Sequence, residues 1–131
     1  MKASVYHIQI NVASPASMQF YKELLGYFAY AVIDEGKEHV GMTNGTTDFW
    51  IIKIEEKHKE KKFHRKAPGL NHIAFKVEKK EDVDVFVREF LNKKKIPTLY
   101  QTPRIFPEYT EKYYAVFFED LERIKLEVVY S

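Results

Sequence analysis

From Val5 to Val12 the chain alternates, with Ile8, Ile10 and Val12 on one side and His7, Gln9 and Asn11 on the other. That period of two is the mark of a strand with one apolar and one polar face. Ser14 and Pro15 then supply an N-cap and a first-turn proline. Met18, Tyr21, Leu24 and Leu25 share one side of the helix that follows, and Gly26 is expected to end it from the C′ position. Tyr27–Ile33, Glu38–Met42 and Asp48–Ile54 read as three short strands joined by turns at Glu35–Gly36 and Asn44–Gly45, which predicts a meander.

The pattern changes at Glu55, where charged residues displace apolar ones up to Pro68 and Gly69, as in a connecting segment. Leu70–Val77 then repeats the opening strand. His72 and Val77 stand in the same relation as His7 and Val12, each pair five residues apart. Val83, Phe86, Val87 and Phe90 form an i, i+3, i+4, i+7 stripe that predicts a second helix over Glu81–Leu91. Three more strands are expected at Thr98–Gln101, Tyr113–Phe118 and Ile124–Tyr130, with a proline-containing loop around Pro103–Pro107 and a turn near Asp120–Glu122. The expected fold is therefore α+β, two repeated βαβββ modules. The first occupies residues about 1–56, the connection about 57–68 and the second about 69–131, all within one domain of 131 residues.

Composition narrows the chemistry. Hydrophobic residues make up 45% of the chain, enough for one core. The 21 Lys and Arg nearly balance the 19 Asp and Glu, so charge points to no nucleic-acid partner. The strand pattern that begins near the first residue leaves no room for a signal peptide, and no apolar run approaches the roughly 20 residues of a membrane span. A cytoplasmic protein with no membrane partner is the expectation. The absence of Cys excludes disulfides, thiolate nucleophiles and Cys-ligated metal centres.

Alternation in the last strand sets Ile124, Leu126, Val128 and Tyr130 against Lys125, Glu127 and Val129. If the helices cover the Ile, Leu and Val faces, His7, His72 and Glu127 lie on the faces away from them. Two imidazoles and a carboxylate form a facial triad with open positions, suited to iron(II), manganese, zinc or nickel. A histidine on a strand is also compatible with a plain structural role, and spacing alone leaves both open. His58 and His64 fall in the charged connection and are read as solvated; His39 opens a short strand and is read as exposed. The aromatic reserve of Phe49, Trp50, Tyr100, Phe106, Tyr109, Tyr113 and Tyr114 supplies core. Within it Trp50, Tyr100 and Tyr113 are candidates for lining a substrate pocket. No nucleophilic triad or phosphate-binding loop can be assembled.

The segments Tyr6–Val12, Phe20–Tyr27, Leu70–Val77 and Phe117–Glu127 together resemble the vicinal oxygen chelate superfamily, which includes glyoxalase I, bleomycin-binding proteins and extradiol dioxygenases. The Phe-Tyr-x-x-Leu-Leu-Gly run over 20–26 and the closing Leu126–Glu127 are the most specific. The resemblance implies an open, cupped mixed sheet with helices on its outer face and a divalent metal held by His7, His72 and Glu127. It also implies a small-molecule substrate, a homodimer, and lyase, dioxygenase or thiol-transferase chemistry, with Tyr113 or Tyr114 as candidate proton donors.

Two departures shape that expectation. Glyoxalase I and the epimerases of the family use a fourth ligand from the last strand of the first module, where Phe49–Lys53 offers no carboxylate, Gln or His. The family's Asp-Pro-Asp-Gly turn before the final strand is replaced by Glu119–Arg123. The alternative expectation is a metal-free protein that binds an antibiotic or aromatic compound, as the bleomycin-resistance proteins do.

Overall fold

The chain forms its strands in two sets of four, β1 (His7–Val12), β2 (Ala31–Glu35), β3 (His39–Thr43) and β4 (Asp48–Lys53), then β5 (His72–Lys76), β6 (Thr98–Ile105), β7 (Tyr114–Glu119) and β8 (Lys125–Tyr130). Helix α1 (Pro15–Tyr27) follows β1, and α2 (Lys80–Phe86) follows β5. The computed structural model describes residues 1–131. Contacts divide the chain into two compact units, Met1–Lys62 and Phe63–Ser131, and the boundary falls inside the charged segment.

Each unit is an open mixed sheet, ordered β1-β4-β3-β2 and β5-β8-β7-β6. The first strand runs parallel to the last of its module and the other neighbours are antiparallel. Parallel pairing needs a crossover connection, and right-handed βαβ geometry lays the helix on one face. Thus α1 packs on β3 and β4, and α2 on β7 and β8. The α+β fold of two βαβββ modules is what the patterning predicts. Phe20, Tyr21, Leu24 and Leu25 of α1 bury against Val40, Met42, Phe49 and Ile51. In the second unit Val83, Phe86, Phe90 and Leu91 meet Val116, Phe118, Leu126 and Val128 in the same way.

The helix starts follow expectation more closely than the stops. The Ser14 hydroxyl accepts from Ser17 N at 3.1 Å, and Pro15 opens α1. Gly26, however, does not end the helix. It lies in the last turn, and Tyr27, expected in a strand, is helical as well. The C′ residue is Ala29 at φ 63°, with Tyr30 N bonded to Leu25 O at 2.9 Å and Ala29 N to Gly26 O at 3.0 Å. This is a Schellman closure built on a residue that carries a Cβ.

The second helix is not uniformly α. After Phe86 it widens into a π-helical turn over Val87–Leu91, with Asn92 N reaching Val87 O at 2.8 Å. It closes with Lys95 at φ 56° and Ile96 N on Leu91 O at 2.9 Å, a second Schellman closure without glycine.

Strand β6 also runs beyond its expected end, into the segment predicted to be a proline loop. Leu99 pairs with Phe117 and Arg104 with Ala115, so four residues, 100–103, bulge opposite one. Tyr100 and Gln101 take φ of 58° and 55° within that bulge, and the Thr102–Pro103 peptide is cis. The buried Thr102 hydroxyl fills the gap: it donates to Leu99 O at 2.6 Å and accepts from Phe117 N at 3.0 Å. The turn before β8 is closed by buried Asp120, whose Oδ1 accepts from Glu122 N at 2.9 Å and Ile124 N at 2.7 Å. Arg123 there sits at φ 68°.

Candidate functional site

Register decides which side chains share a face. In the second unit Phe118 pairs with Leu126 and contacts Phe86 of the helix, so that face is covered. Glu127 pairs with Phe117 of β7 and Ala74 of β5, on the other face. His72, two residues before Ala74, lies on that same face opposite Lys125. The structure therefore brings His72 and Glu127 together, with Nε2 and Oε2 3.2 Å apart.

Glu127 is fully buried. Its Oε1 accepts from the Tyr113 hydroxyl at 2.6 Å, whereas Oε2 is buried without an aligned hydrogen bond. Burial, and then the hydrogen bond to Glu127, push the Tyr113 phenol well above its ordinary range, so it remains a donor. His72 Nδ1 lies 2.8 Å from Asn71 Oδ1. Asn71 Nδ2 is spent on Arg65 O at 3.1 Å, which leaves Oδ1 as acceptor and places the imidazole proton on Nδ1. Nε2 is then the nitrogen that faces the carboxylate oxygen, and that contact needs a proton or a cation between the two atoms.

Above this pair opens a cavity of about 510 Å³. Tyr100, Phe106, Tyr109, Tyr113 and Phe117 form its walls. Phe106 and Tyr109 stack at 5.5 Å and 6°, and Tyr109 meets Tyr113 edge-on at 5.1 Å. Tyr100 meets Phe117 edge-on at 5.5 Å. The bulge in β6 is what places Tyr100 there. A left-handed backbone costs a residue with a Cβ about 1 kcal/mol, and the Thr102 hydrogen bonds hold it.

The other predicted residues are placed as follows. His7 is exposed at the start of β1, opposite Asp48. Trp50 belongs to the first unit and lies over Gly41, where an added Cβ would come within 2.7 Å of its ring. The β1–β4 and β5–β8 registers pair Gln9 with Trp50 and Ala74 with Glu127. The repeat thus sets an indole where the second unit has its carboxylate, so the first unit offers a histidine and no acid at that position. Tyr114 faces the helix side; its hydroxyl donates to Asp84 Oδ1 at 2.7 Å, away from the cavity. No group of three His, Asp or Glu side chains suited to a metal gathers within either unit. His58 and His64 are exposed, and His39 Nε2 pairs with Asp34 at 2.9 Å.

Sequence reasoning passed over Asn71, Phe117 and Lys125. Lys125 shares parity with Glu127 in β8 and was visible on that ground. Phe117 depends on the register between β7 and β8, which no local pattern reveals. No helix is long and apolar enough to cross a membrane.

Comparison with known proteins agrees with this architecture. Residues 4–128 match the family model described as Glyoxalase/Bleomycin resistance protein/Dioxygenase superfamily. The chain is 32% identical over 126 residues to YqjT, an uncharacterized protein of Bacillus subtilis (strain 168), covering 95% of this chain and 97% of that one. It is similar to the crystal structure of a candidate glyoxalase from Bacillus halodurans, with a TM-score of 0.87 and 33% identity over 97% of this chain and 95% of the other. The fosfomycin resistance protein FosX of Listeria monocytogenes shares the fold alone, with a TM-score of 0.70 at 17% identity over 100% of this chain and 95% of FosX. With two βαβββ modules and a family match spanning nearly its whole length, the chain belongs to the Glyoxalase/Bleomycin resistance protein/Dioxygenase superfamily.

Proposed function

We propose that the protein is a divalent-metal enzyme of the glyoxalase and dioxygenase type, with His72, Glu127 and His7 as metal ligands and a small oxygen-bearing molecule as substrate. One observation carries the reading: a fully buried carboxylate keeps one oxygen without an aligned hydrogen bond, 3.2 Å from an imidazole nitrogen. Donors about 2.1 Å from a shared ion and near 100° apart stand about 3.2 Å from each other, so the pair fits a metal. His7 is the donor supplied by the repeat, from the same chain or from a partner copy in the expected homodimer. Bound there, a divalent iron, manganese, zinc or nickel ion would act as a Lewis acid toward adjacent substrate oxygens.

The chain's own residues do the rest. Asn71 fixes the His72 tautomer through Nδ1, as partners of metal-bound histidines do. Tyr113 remains a phenol and holds one Glu127 oxygen, leaving the other free. A substrate packed against the ring walls would displace water from the pair, which strengthens electrostatic interactions there. Elemental analysis after reconstitution with each of the four ions tests the reading. Near-stoichiometric metal is expected in the parent and its loss in His72→Ala; no uptake by the parent would refute it.

A second reading is favoured by the same 3.2 Å contact. A protonated His72 would form an ion pair with Glu127 and close the site without metal, leaving the ring-lined cavity to bind an aromatic compound. Ligand binding would then be insensitive to chelators.

A further inference from the structure

Each aromatic pair lining the cavity beside His72 and Glu127 has a cation over it, and the two cations are not equally committed. Over the stacked pair of buried Phe106 and exposed Tyr109 lies the Arg104 guanidinium, 3.8 Å from the Phe106 ring centre. Arg104 is itself tied to Glu108 at 3.5 Å and to Ile105 O at 3.0 Å. Half-exposed Tyr100 and buried Phe117 make an edge-to-face corner of their own.

Over that corner stands Lys125, its Nζ 5.5 Å from each ring centre. Register sets Lys125 between His72 and Glu119, yet Glu119 is committed elsewhere. Its Oε1 binds Arg65 at 2.6 Å and its Oε2 approaches Arg123 at 3.5 Å. Two arginines therefore occupy the Glu119 carboxylate, and the Lys125 ammonium is left with no acidic partner. An unneutralised ammonium beside an aromatic corner fits an anion attached to a ring.

We propose that this cavity takes a flat aromatic carboxylic acid with an oxygen on the adjacent ring position. The ring packs on Tyr100 and Phe117, and the carboxylate pairs with Lys125. The cavity's volume of about 510 Å³ suits such a molecule, since small-ligand sites span about 300–1,000 Å³. Placing the second oxygen at His72 and Glu127 rests on the metal-site reading; selection of the ring and the carboxylate does not.

Three probes separate the terms: salicylate has ring, carboxylate and adjacent oxygen, catechol lacks the carboxylate, and lactate lacks the ring. Affinities are measured by calorimetry on the full chain, metal-loaded and metal-free, with metal content followed in parallel. Salicylate is expected to bind about ten-fold more tightly than either other probe. Lys125→Met, which keeps the apolar stem, should remove that advantage while leaving catechol affinity and metal content as they were, and Lys125→Arg should restore it. Equal affinity for salicylate and catechol in the parent, an equal loss of both in Lys125→Met, or no salicylate binding at millimolar concentration overturns the proposal. A preference for salicylate in a protein that takes up no metal would sink the metal reading and leave this one standing.

Discussion

Glu127→Gln separates a site built for a cation from a site built for stability. Glu127 is fully buried, Oε1 accepts from Tyr113 at 2.6 Å, and Oε2 faces His72 Nε2 at 3.2 Å without an aligned bond. In the metal-free protein that oxygen carries a desolvation cost of about 1–3 kcal/mol. A glutamine keeps the acceptor for Tyr113 and turns an NH2 toward Nε2, which is the acceptor nitrogen of the neutral tautomer that the Asn71 contact selects. The metal-free variant should therefore be more stable by about 1–2 kcal/mol, or roughly 4–8 °C in Tm for a chain of this size. The same change should abolish metal uptake, because a neutral amide is a far poorer ligand than a carboxylate. Thermal unfolding in chelator, paired with elemental analysis, reads both effects. A variant that loses stability without metal would show that the charge of Glu127 serves the fold, and the reasoning from its unpaired oxygen would fail.

Three further outcomes follow from particular backbone and hydrogen-bond features. Ala29→Gly should stabilise the first unit by up to about 1 kcal/mol, because Ala29 holds the left-handed C′ position at φ 63° where glycine pays no Cβ penalty; urea titration with unchanged m checks this, and destabilisation would refute it. Thr102→Val should cost about 1–3 kcal/mol by leaving buried Phe117 N without its acceptor, while Thr102→Ser should cost much less; equal losses in urea titrations would argue for lost packing instead. The Tyr114 phenol is pushed up to about 12 by burial and then by its bond to Asp84. Its folded pKa exceeds the unfolded value of 10.0, so the native state keeps a proton that the unfolded chain loses and stability falls between pH 10.0 and about 12. Tyr114→Phe should shallow that fall in denaturant midpoints across the window, leaving a remainder from Tyr113; an unchanged slope would contradict the assignment.

The sequence by itself determined the repeat and the kind of fold. Ile8, Ile10 and Val12 alternate against His7, Gln9 and Asn11, and the same parity returns at His72 and Glu127, because a strand's side-chain period is a local property of the backbone. The caps at Ser14 and Pro15 are local too, and they appear where the residues predict. The stops were less legible. Gly26 looked like a terminator, but a Schellman closure needs only a residue that tolerates the left-handed region, and tertiary packing assigned that task to Ala29.

Only the tertiary structure decided which residues meet at the cavity. Pairing of Phe117 with Glu127, the four-residue bulge that carries Tyr100 inward, and the Asn71 contact that sets the His72 tautomer all depend on partners distant in sequence or on side-chain orientation. Tyr113 and Tyr114 show the division most directly. Sequence treats them as equivalent neighbours, yet one donates to Glu127 and the other to Asp84. Alternation guarantees that adjacent residues of an extended chain point to opposite faces; which face holds the carboxylate is fixed by where the helix packs.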